Sequence, residues 1–175
     1  IYVNGDLIDE VAFSGSLDKV IILPLFGAAL LGNYYLGFQI FNILAILPGI
    51  VFQYMLPQES SGSSHAKLKK ITIAVSGIFS IIAIVSAPII LPIFFPDFTE
   101  AIIIVQIMSL ALIPNAIALM YVSKLLGNEK IKIVIIGQII GLGVTISGIY
   151  GLGEIYGIMG AAMAYTIGTL VGIVY

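Results

Sequence analysis

Of the 175 residues in this chain, 60% are hydrophobic and only 9% are charged. A water-soluble domain keeps roughly a quarter of its residues charged, so this composition excludes a protein whose whole surface faces water. The net charge of -2 gives no indication of a nucleic-acid partner, and the lack of cysteine excludes disulfides and thiolate metal sites. Together with a mean hydropathy of +1.17, these features indicate a protein that lies in a lipid bilayer.

Apolar runs of membrane-spanning length follow one another along the chain. A transmembrane helix needs about 20 apolar residues, and these runs lack the apolar/polar alternation of barrel strands. We therefore expect an all-α, polytopic membrane helix bundle in a single transmembrane domain, residues 1–175. Because no signal peptide precedes the first apolar run, we also expect the sequence to begin inside a longer protein. The six predicted helices span roughly residues 7–30, 34–56, 71–95, 101–126, 131–150 and 155–175.

The first predicted helix is the least apolar, because Asp18 and Lys19 lie inside it. A charge within the hydrocarbon costs ~2.5–3.5 kcal/mol, so it usually faces a partner or a water-filled cavity. Asp6, Glu10 and Ser14 precede Asp18 at intervals of four residues, which predicts a polar stripe along the helix. Two interpretations are open: Asp18 belongs to a substrate or ion pathway, or it pairs with Lys19 or another neighbour and stabilises the bundle.

Further polar side chains lie on the second, fourth and fifth predicted helices, and those of the second fall close to one face. Interhelical hydrogen bonds explain any one of them, whereas a polar cavity explains their joint presence. The predicted pathway residues are Asp18, Lys19, Tyr35, Gln39, Asn42, Gln53, Gln106 and Gln138.

The basic residues predict an orientation in the membrane. All seven are lysines, and six of them lie in two predicted connections, residues 58–70 and 124–132. Two predicted crossings separate these connections, so both are expected on one side. The alternate connections carry only Asp97, Glu100 and Glu154. Because cytoplasmic loops are enriched in lysine and arginine, we expect both lysine-rich connections to be cytoplasmic in a multi-pass protein of the cell membrane.

Glycine and proline predict where helices pack closely or bend. Gly137 and Gly141 form a GxxxG pair, which favours close packing of the last two predicted helices. Residues 151–154 are expected to form a tight glycine turn, and residues 26–33 an uncharged connection. Three prolines inside predicted helices should kink them, either for packing or as hinges of a transporter: Pro24, Pro48 and Pro114.

The residue constellations of common enzymes are missing from the sequence. It contains no GxSxG, P-loop or HExxH pattern. The single histidine, His65, lies in a polar connection without the spacing of metal ligands. We therefore expect a protein that is not an enzyme and that needs no metal or cofactor.

The first third of the chain resembles a known transporter family. Asp18 and Lys19 precede an apolar run, a turn with Gly32 and Tyr34, and a helix that ends at Pro57. This order is similar to the seventh and eighth helices of polysaccharide flippases in the multidrug/oligosaccharidyl-lipid/polysaccharide exporter superfamily. The segment concerned reads SGSLDKVIILPLFGAALLGNYYLGFQIFNILAILPGIVFQYMLP.

The rest of the chain continues the resemblance, which thus covers nearly all of it. The family's ninth and tenth helices are similar to the segment PIILPIFFPDFTEAIIIVQIMSLALIPNAIALMYVSKLLGNEK. A family pattern of small residues resembles the final segment YGIMGAAMAYTIG, with Tyr156, Gly157, Gly160, Ala161, Ala162 and Ala164.

The resemblance implies a function. Family members have two six-helix halves, of which this chain would be the second. They move a polyprenyl-diphosphate-linked oligosaccharide across the cytoplasmic membrane for surface polysaccharide biosynthesis. The chain departs from the family in having no arginine, so Lys19 is the one cation predicted within the membrane. The cationic part of the site is therefore expected in the N-terminal half.

The implied partners are the lipid-linked glycan, membrane lipids, a coupling proton or sodium ion, and the N-terminal half of the same protein. Asp18 would couple the ion or hold Lys19 in place, while Gln39, Asn42 and Gln53 would line the cavity. Two alternatives stay open. One is a multidrug/cation antiporter of the same superfamily, and the other is a non-transporting membrane scaffold subunit.

Overall fold

The computed structural model of the chain describes the backbone of residues 5–61 and 66–174, and side chains within residues 18–59, 61 and 66–172. Every regular element in these residues is an α-helix, which confirms the predicted all-α class. The helices are α1 (Gly5–Ser60), α2 (Ala66–Phe94), α3 (Ala101–Leu110), α4 (Leu112–Gly127), α5 (Ile131–Tyr156) and α6 (Ile158–Val174).

The lengths of the helices and the distribution of their side chains are those of a membrane bundle. Four stretches of the described chain are long and apolar enough to cross a bilayer, and a fifth apolar helix is shorter. On α2, small and hydroxyl side chains such as Ser76, Ser80 and Ala83 are buried, while Ile81 and Val85 are exposed. Large apolar groups outside and small groups inside are typical of helices that pack in lipid. The chain is therefore membrane-embedded.

The helix α1 consists of two arms that fold back at Gly27. Gly27 has φ 81° and ψ 171°, a conformation that is essentially restricted to glycine. The hydroxyl of Tyr34 lies 2.7 Å from a carboxylate oxygen of Asp18, 16 residues earlier. A continuous helix would separate these residues by about 24 Å. We call the two parts the N-terminal arm (residues 5–26) and the C-terminal arm (residues 28–60).

Two predicted boundaries are wrong. The first predicted helix ends near residue 26 instead of residue 30. The chain reverses at Gly27, whose φ and ψ are essentially restricted to glycine. Residues 151–154 are helical, and the break lies at Gly157, with φ 60° and ψ -141°. Glycine inside a helix costs only about 1 kcal/mol, and here close packing offsets that cost: a Cβ on Gly153 would lie 2.8 Å from the Phe26 ring.

The helices α3 and α4 form one rod with an interruption at Ala111, three residues before Pro114. Proline has no N–H to donate to the carbonyl four residues earlier, which accounts for an interruption of the helix within one turn of Pro114. At the other end of α4, the N–H of Lys130 donates to Leu125 O at 2.8 Å. Glu129 adopts a left-handed conformation with φ 59°, and a short turn then leads into α5.

Hydrogen bonds between helices fix the directions in the bundle. Ser80 Oγ donates to Ser109 O at 2.7 Å, and Gln106 Nε2 donates to Ile84 O at 3.0 Å. Residue numbers therefore rise on α3 as they fall on α2, so the two helices are antiparallel. It follows that the start of α2 and the end of α4, which both carry lysines, lie at the same end of the bundle. We call it the lysine end.

The helices α5 and α6 form a tight antiparallel hairpin around Gly157. A Cβ on Gly148 would lie 2.8 Å from the Cβ of Ala164, and one on Gly141 would lie 2.9 Å from Gly168 O. Such close backbone approach needs small residues, because no hydrophobic force drives helices together in lipid. This is the packing that the GxxxG pair predicts.

Two glycines of α5 provide a matched test of this packing. Gly141→Ala should destabilise the protein by about 1–3 kcal/mol, because the added methyl group overlaps backbone atoms of α6. Gly143→Ala should be neutral or stabilising, since a Cβ there meets no described atom within 4 Å. The measurement is the thermal unfolding midpoint of the detergent-solubilised protein. Equal midpoints for the two variants would contradict the observed hairpin contact.

Candidate functional site

A buried carboxylate lies at the centre of the candidate site. Asp18, on the N-terminal arm, is only 5% exposed. Its Oδ2 accepts a hydrogen bond of 2.7 Å from the Tyr34 hydroxyl, and its Oδ1 accepts one of 2.9 Å from the backbone N–H of Lys19. A buried charge is strongly unfavourable without such partners. The fold-back at Gly27 thus provides Asp18 with a partner from the C-terminal arm.

Lys19 lies between this carboxylate and an aromatic surface. Its Nζ is 3.6 Å from Asp18 Oδ1 and 3.9 Å from the ring centroid of Phe38. The ring of Tyr35 is farther away, with 5.9 Å between Nζ and its centroid. A cation over an aromatic face gains about 0.5–2 kcal/mol, and more as water is excluded. The ion pair and the ring together hold a positive charge at the edge of the C-terminal arm.

Aromatic side chains connect this charge pair to α6. Tyr165 contacts Phe38 and Phe41 edge to face, with centroid distances of 5.6 Å and 5.5 Å. Edge-to-face contacts are among the preferred geometries of aromatic pairs and add about 0.5–1.5 kcal/mol each. The ring that faces Lys19 is therefore held in place from two helices.

The C-terminal arm has two unlike faces. Gly37, Phe41 and Met55 are buried against the bundle, and a Cβ on Gly37 would lie 2.6 Å from Ile104 of α3. On the opposite side, Gln39 Nε2 donates to the Tyr35 hydroxyl at 2.5 Å. We call this side the polar face; its exposed polar residues are Tyr35, Gln39, Asn42 and Gln53.

The polar face adjoins an apolar one. Ile43, which follows Asn42, is 64% exposed, and Ile50 and Tyr54 are also exposed on that side of the arm. Isoleucine is suited to lipid, whereas unpaired amides are not, because hydrocarbon offers no hydrogen bonds. The two neighbouring surfaces of one helix therefore favour different surroundings.

Two predicted pathway residues are not brought to this face. Gln106 is used between helices, since its amide donates to Ile84 O on α2. Gln138 is exposed on α5. The structure thus brings together Asp18, Lys19, Tyr35 and Gln39, with Asn42 and Gln53 farther along the same arm. The side chains of Asp6, Glu10 and Ser14, and all of His65, lie outside the described residues.

Sequence reasoning missed three residues of the site: Tyr34, Phe38 and Tyr165. In a hairpin, the position of the turn decides which residues face each other. A turn at residues 31–33 would place Asp18 opposite a residue near 46, whereas the turn at Gly27 places it opposite Tyr34. Recognising Gly27 as the turn would have revealed the first two residues, but no local pattern indicates Tyr165.

Comparison with protein-family models found no match, and neither did comparisons with curated proteins and with solved structures. The described residues provide a buried carboxylate, paired with the half-buried Lys19, beside an exposed polar helix face.

The neighbouring tyrosines of the site provide a direct test. Tyr34→Phe should destabilise the protein by about 1.5–3 kcal/mol, because the Asp18 carboxylate loses a buried hydrogen bond. Tyr35→Phe removes the same atom from an exposed side chain and should have a much smaller effect. Thermal unfolding midpoints in detergent measure both changes. If both variants unfolded at the same temperature, Tyr34 would not be the partner that stabilises Asp18.

Proposed function

We propose that this chain is one half of a membrane transporter that flips a polyprenyl-diphosphate-linked oligosaccharide across the cytoplasmic membrane. The observation that supports this most is the polar face of the C-terminal arm, next to Lys19. An exposed row of polar groups on an apolar helix needs either water or a protein partner. In the proposed transporter, the face lines a cavity that the N-terminal half completes.

The polar face suits a glycan. Amide and phenol groups donate and accept hydrogen bonds, as the hydroxyls of a sugar do, and so they can replace its water during the crossing. Between Asn42 and Gln53 the face contains Ile46 and Gly49, so its polar groups lie at two depths along the arm. The lipid tail of the substrate would stay in the bilayer, beside the apolar surface that begins at Ile43.

The charge pair lies at the depth where coupling would act. With the lysine end in the cytoplasm, the N-terminal arm runs outward and Gly27 lies near the outer surface. Asp18 precedes Gly27 by nine residues, about 13 Å of helix, and so lies near the middle of a bilayer core of ~30 Å. In the proposal, Lys19 attracts the diphosphate, and Asp18 either holds Lys19 in place or exchanges a proton or sodium ion.

Hydrogen bonds between helices favour one alternative, a non-transporting scaffold subunit. Gln106 bonds to α2 and Tyr34 bonds to Asp18, so polar groups of this bundle do join helices. If every polar group had that role, apolar replacements along the polar face would be tolerated. The third candidate is a drug/cation antiporter. It would have the same polar cavity as the proposed flippase but would carry drugs and not a glycan, so a drug-efflux assay distinguishes it.

Asp18→Asn in the complete parent protein tests the coupling role. Asparagine keeps an oxygen that accepts from Tyr34 but loses the charge. We expect surface glycan in a flippase-null strain to fall by roughly tenfold, the effect of ~1.4 kcal/mol on a barrier, at unchanged membrane levels. The matched control is Asp97→Asn, which makes the same change at an exposed residue between α2 and α3. Unchanged export in Asp18→Asn would remove the coupling role.

The double variant Gln39→Leu with Asn42→Leu tests the polar face. It should reduce export by roughly tenfold or more, since two hydrogen-bonding groups worth ~1 kcal/mol each are lost from the cavity wall. Ile43→Ala, on the adjacent apolar surface, is the control and should export normally. Normal export by the double variant, at equal amounts in the membrane, would favour the scaffold. Failure of the unmodified protein to restore glycan, with drug efflux present, would favour the antiporter.

A further inference from the structure

A groove lies at the lysine end, where the first turns of α2 meet the last turns of α4. Its volume is about 320 Å³. Lys69 and Lys70 line it from α2, and Lys124 lines it from α4. Among the described residues that line it there are three lysines and no acid. Two helices thus bring positive charges together, although the lysines lie more than 50 positions apart in the chain.

The three lysines are not equivalent. Lys69 Nζ lies 2.6 Å from Glu59 Oε1, at the end of the C-terminal arm, and the Glu59 side chain is only 8% exposed. This ion pair fixes Lys69 and neutralises part of its charge. Lys70 and Lys124 are exposed, so their ammonium groups are the ones available to an anion.

The remaining walls of the groove are apolar. Ile73 and Ile117 line it on the membrane side of the lysines, and Tyr121 is 60% exposed beside it. Tyrosine is enriched at the level of lipid headgroups, where its ring is in an apolar region and its hydroxyl in a polar one. The groove therefore changes from cationic to apolar along the direction that leads into the bilayer.

An apolar path continues from the groove along both helices. Ile81, two turns beyond Ile73, is 63% exposed, and Ile113, one turn beyond Ile117, is 37% exposed. Gly77 lies on α2 between Ile73 and Ile81, and its lack of a side chain leaves a shallow depression in the surface. A Cβ at this position would lie 3.9 Å from Ile113. An acyl chain that follows this path would remain in contact with apolar groups.

We propose that this groove binds an anionic membrane phospholipid, with its phosphate between Lys70 and Lys124 and an acyl chain along Gly77. Charge complementarity accounts for the headgroup, and the apolar walls account for the attached chain, which a free phosphate ion lacks. The site lies apart from the polar face, so it does not depend on the transport function. Its occupant ties α2 to α4 at the membrane surface.

The test is the affinity of the full chain in detergent micelles for spin-labelled phosphatidylglycerol relative to phosphatidylcholine. Lys70→Gln with Lys124→Gln should reduce the preference for phosphatidylglycerol by roughly thirtyfold, which corresponds to about 2 kcal/mol for the two lysines. Lys130→Gln with Lys132→Gln is the matched control, with the same loss of charge at the same end but outside the groove. It should reduce the preference by less than roughly twofold.

Two further measurements complete the test. One asks whether binding needs the groove itself and not only positive charge at this end of the bundle, and the other asks whether the occupant is a lipid or a free phosphate ion. Ile73→Trp fills the groove without changing charge and should also reduce binding. Inorganic phosphate at millimolar concentration should not displace the labelled lipid. Equal losses in the two lysine pairs, or full binding in both Ile73→Trp and the Lys70/Lys124 variant, would overturn the proposal. Displacement by inorganic phosphate would overturn the assignment to a lipid.

Discussion

A carboxylate in the hydrocarbon region of a bilayer must obtain its hydrogen bonds from the protein, because lipid tails offer none. For Asp18, the fold-back of α1 at Gly27 meets this requirement. It places the Tyr34 hydroxyl at 2.7 Å and the Phe38 ring beside the Lys19 ammonium. The relative positions of the two arms are thereby fixed, and Tyr165 extends the contact to α6.

The same constraint explains the two surfaces of the C-terminal arm. One side, with Gly37 and Phe41, is buried against the bundle. The polar face is exposed, and amides that face lipid would lack partners just as an unpaired carboxylate would. The proposed transport function follows from this conflict: a cavity that holds water and a glycan would satisfy the polar face. The scaffold alternative satisfies it with another protein surface.

Much of the fold could be predicted from the sequence, because apolar length and lysine distribution are local properties. The helices and the shared lysine end follow from them. The pairing of Asp18 with Tyr34 did not follow, since it depends on which residue turns the chain. Gly27 and Gly32 are both plausible turn residues, and only tertiary packing selects the first. The contact of Gln106 with Ile84 likewise depends on how α3 rotates against α2, so the sequence alone could not separate a packing role from a pathway role.

A cavity beside the polar face would bring water to its side chains, and contact with water can be measured directly. The chain has no cysteine, so single cysteines introduced at Asn42 and at the adjacent Ile43 can be labelled without background from this chain. The measurement is the rate of reaction with a membrane-impermeant maleimide in the complete protein in its native membrane. If the polar face lines a water-filled cavity, position 42 should be labelled rapidly, bound lipid-linked glycan should slow that reaction, and position 43 should be labelled little. Equal rates at both positions, or no reaction at position 42, would contradict the proposed cavity.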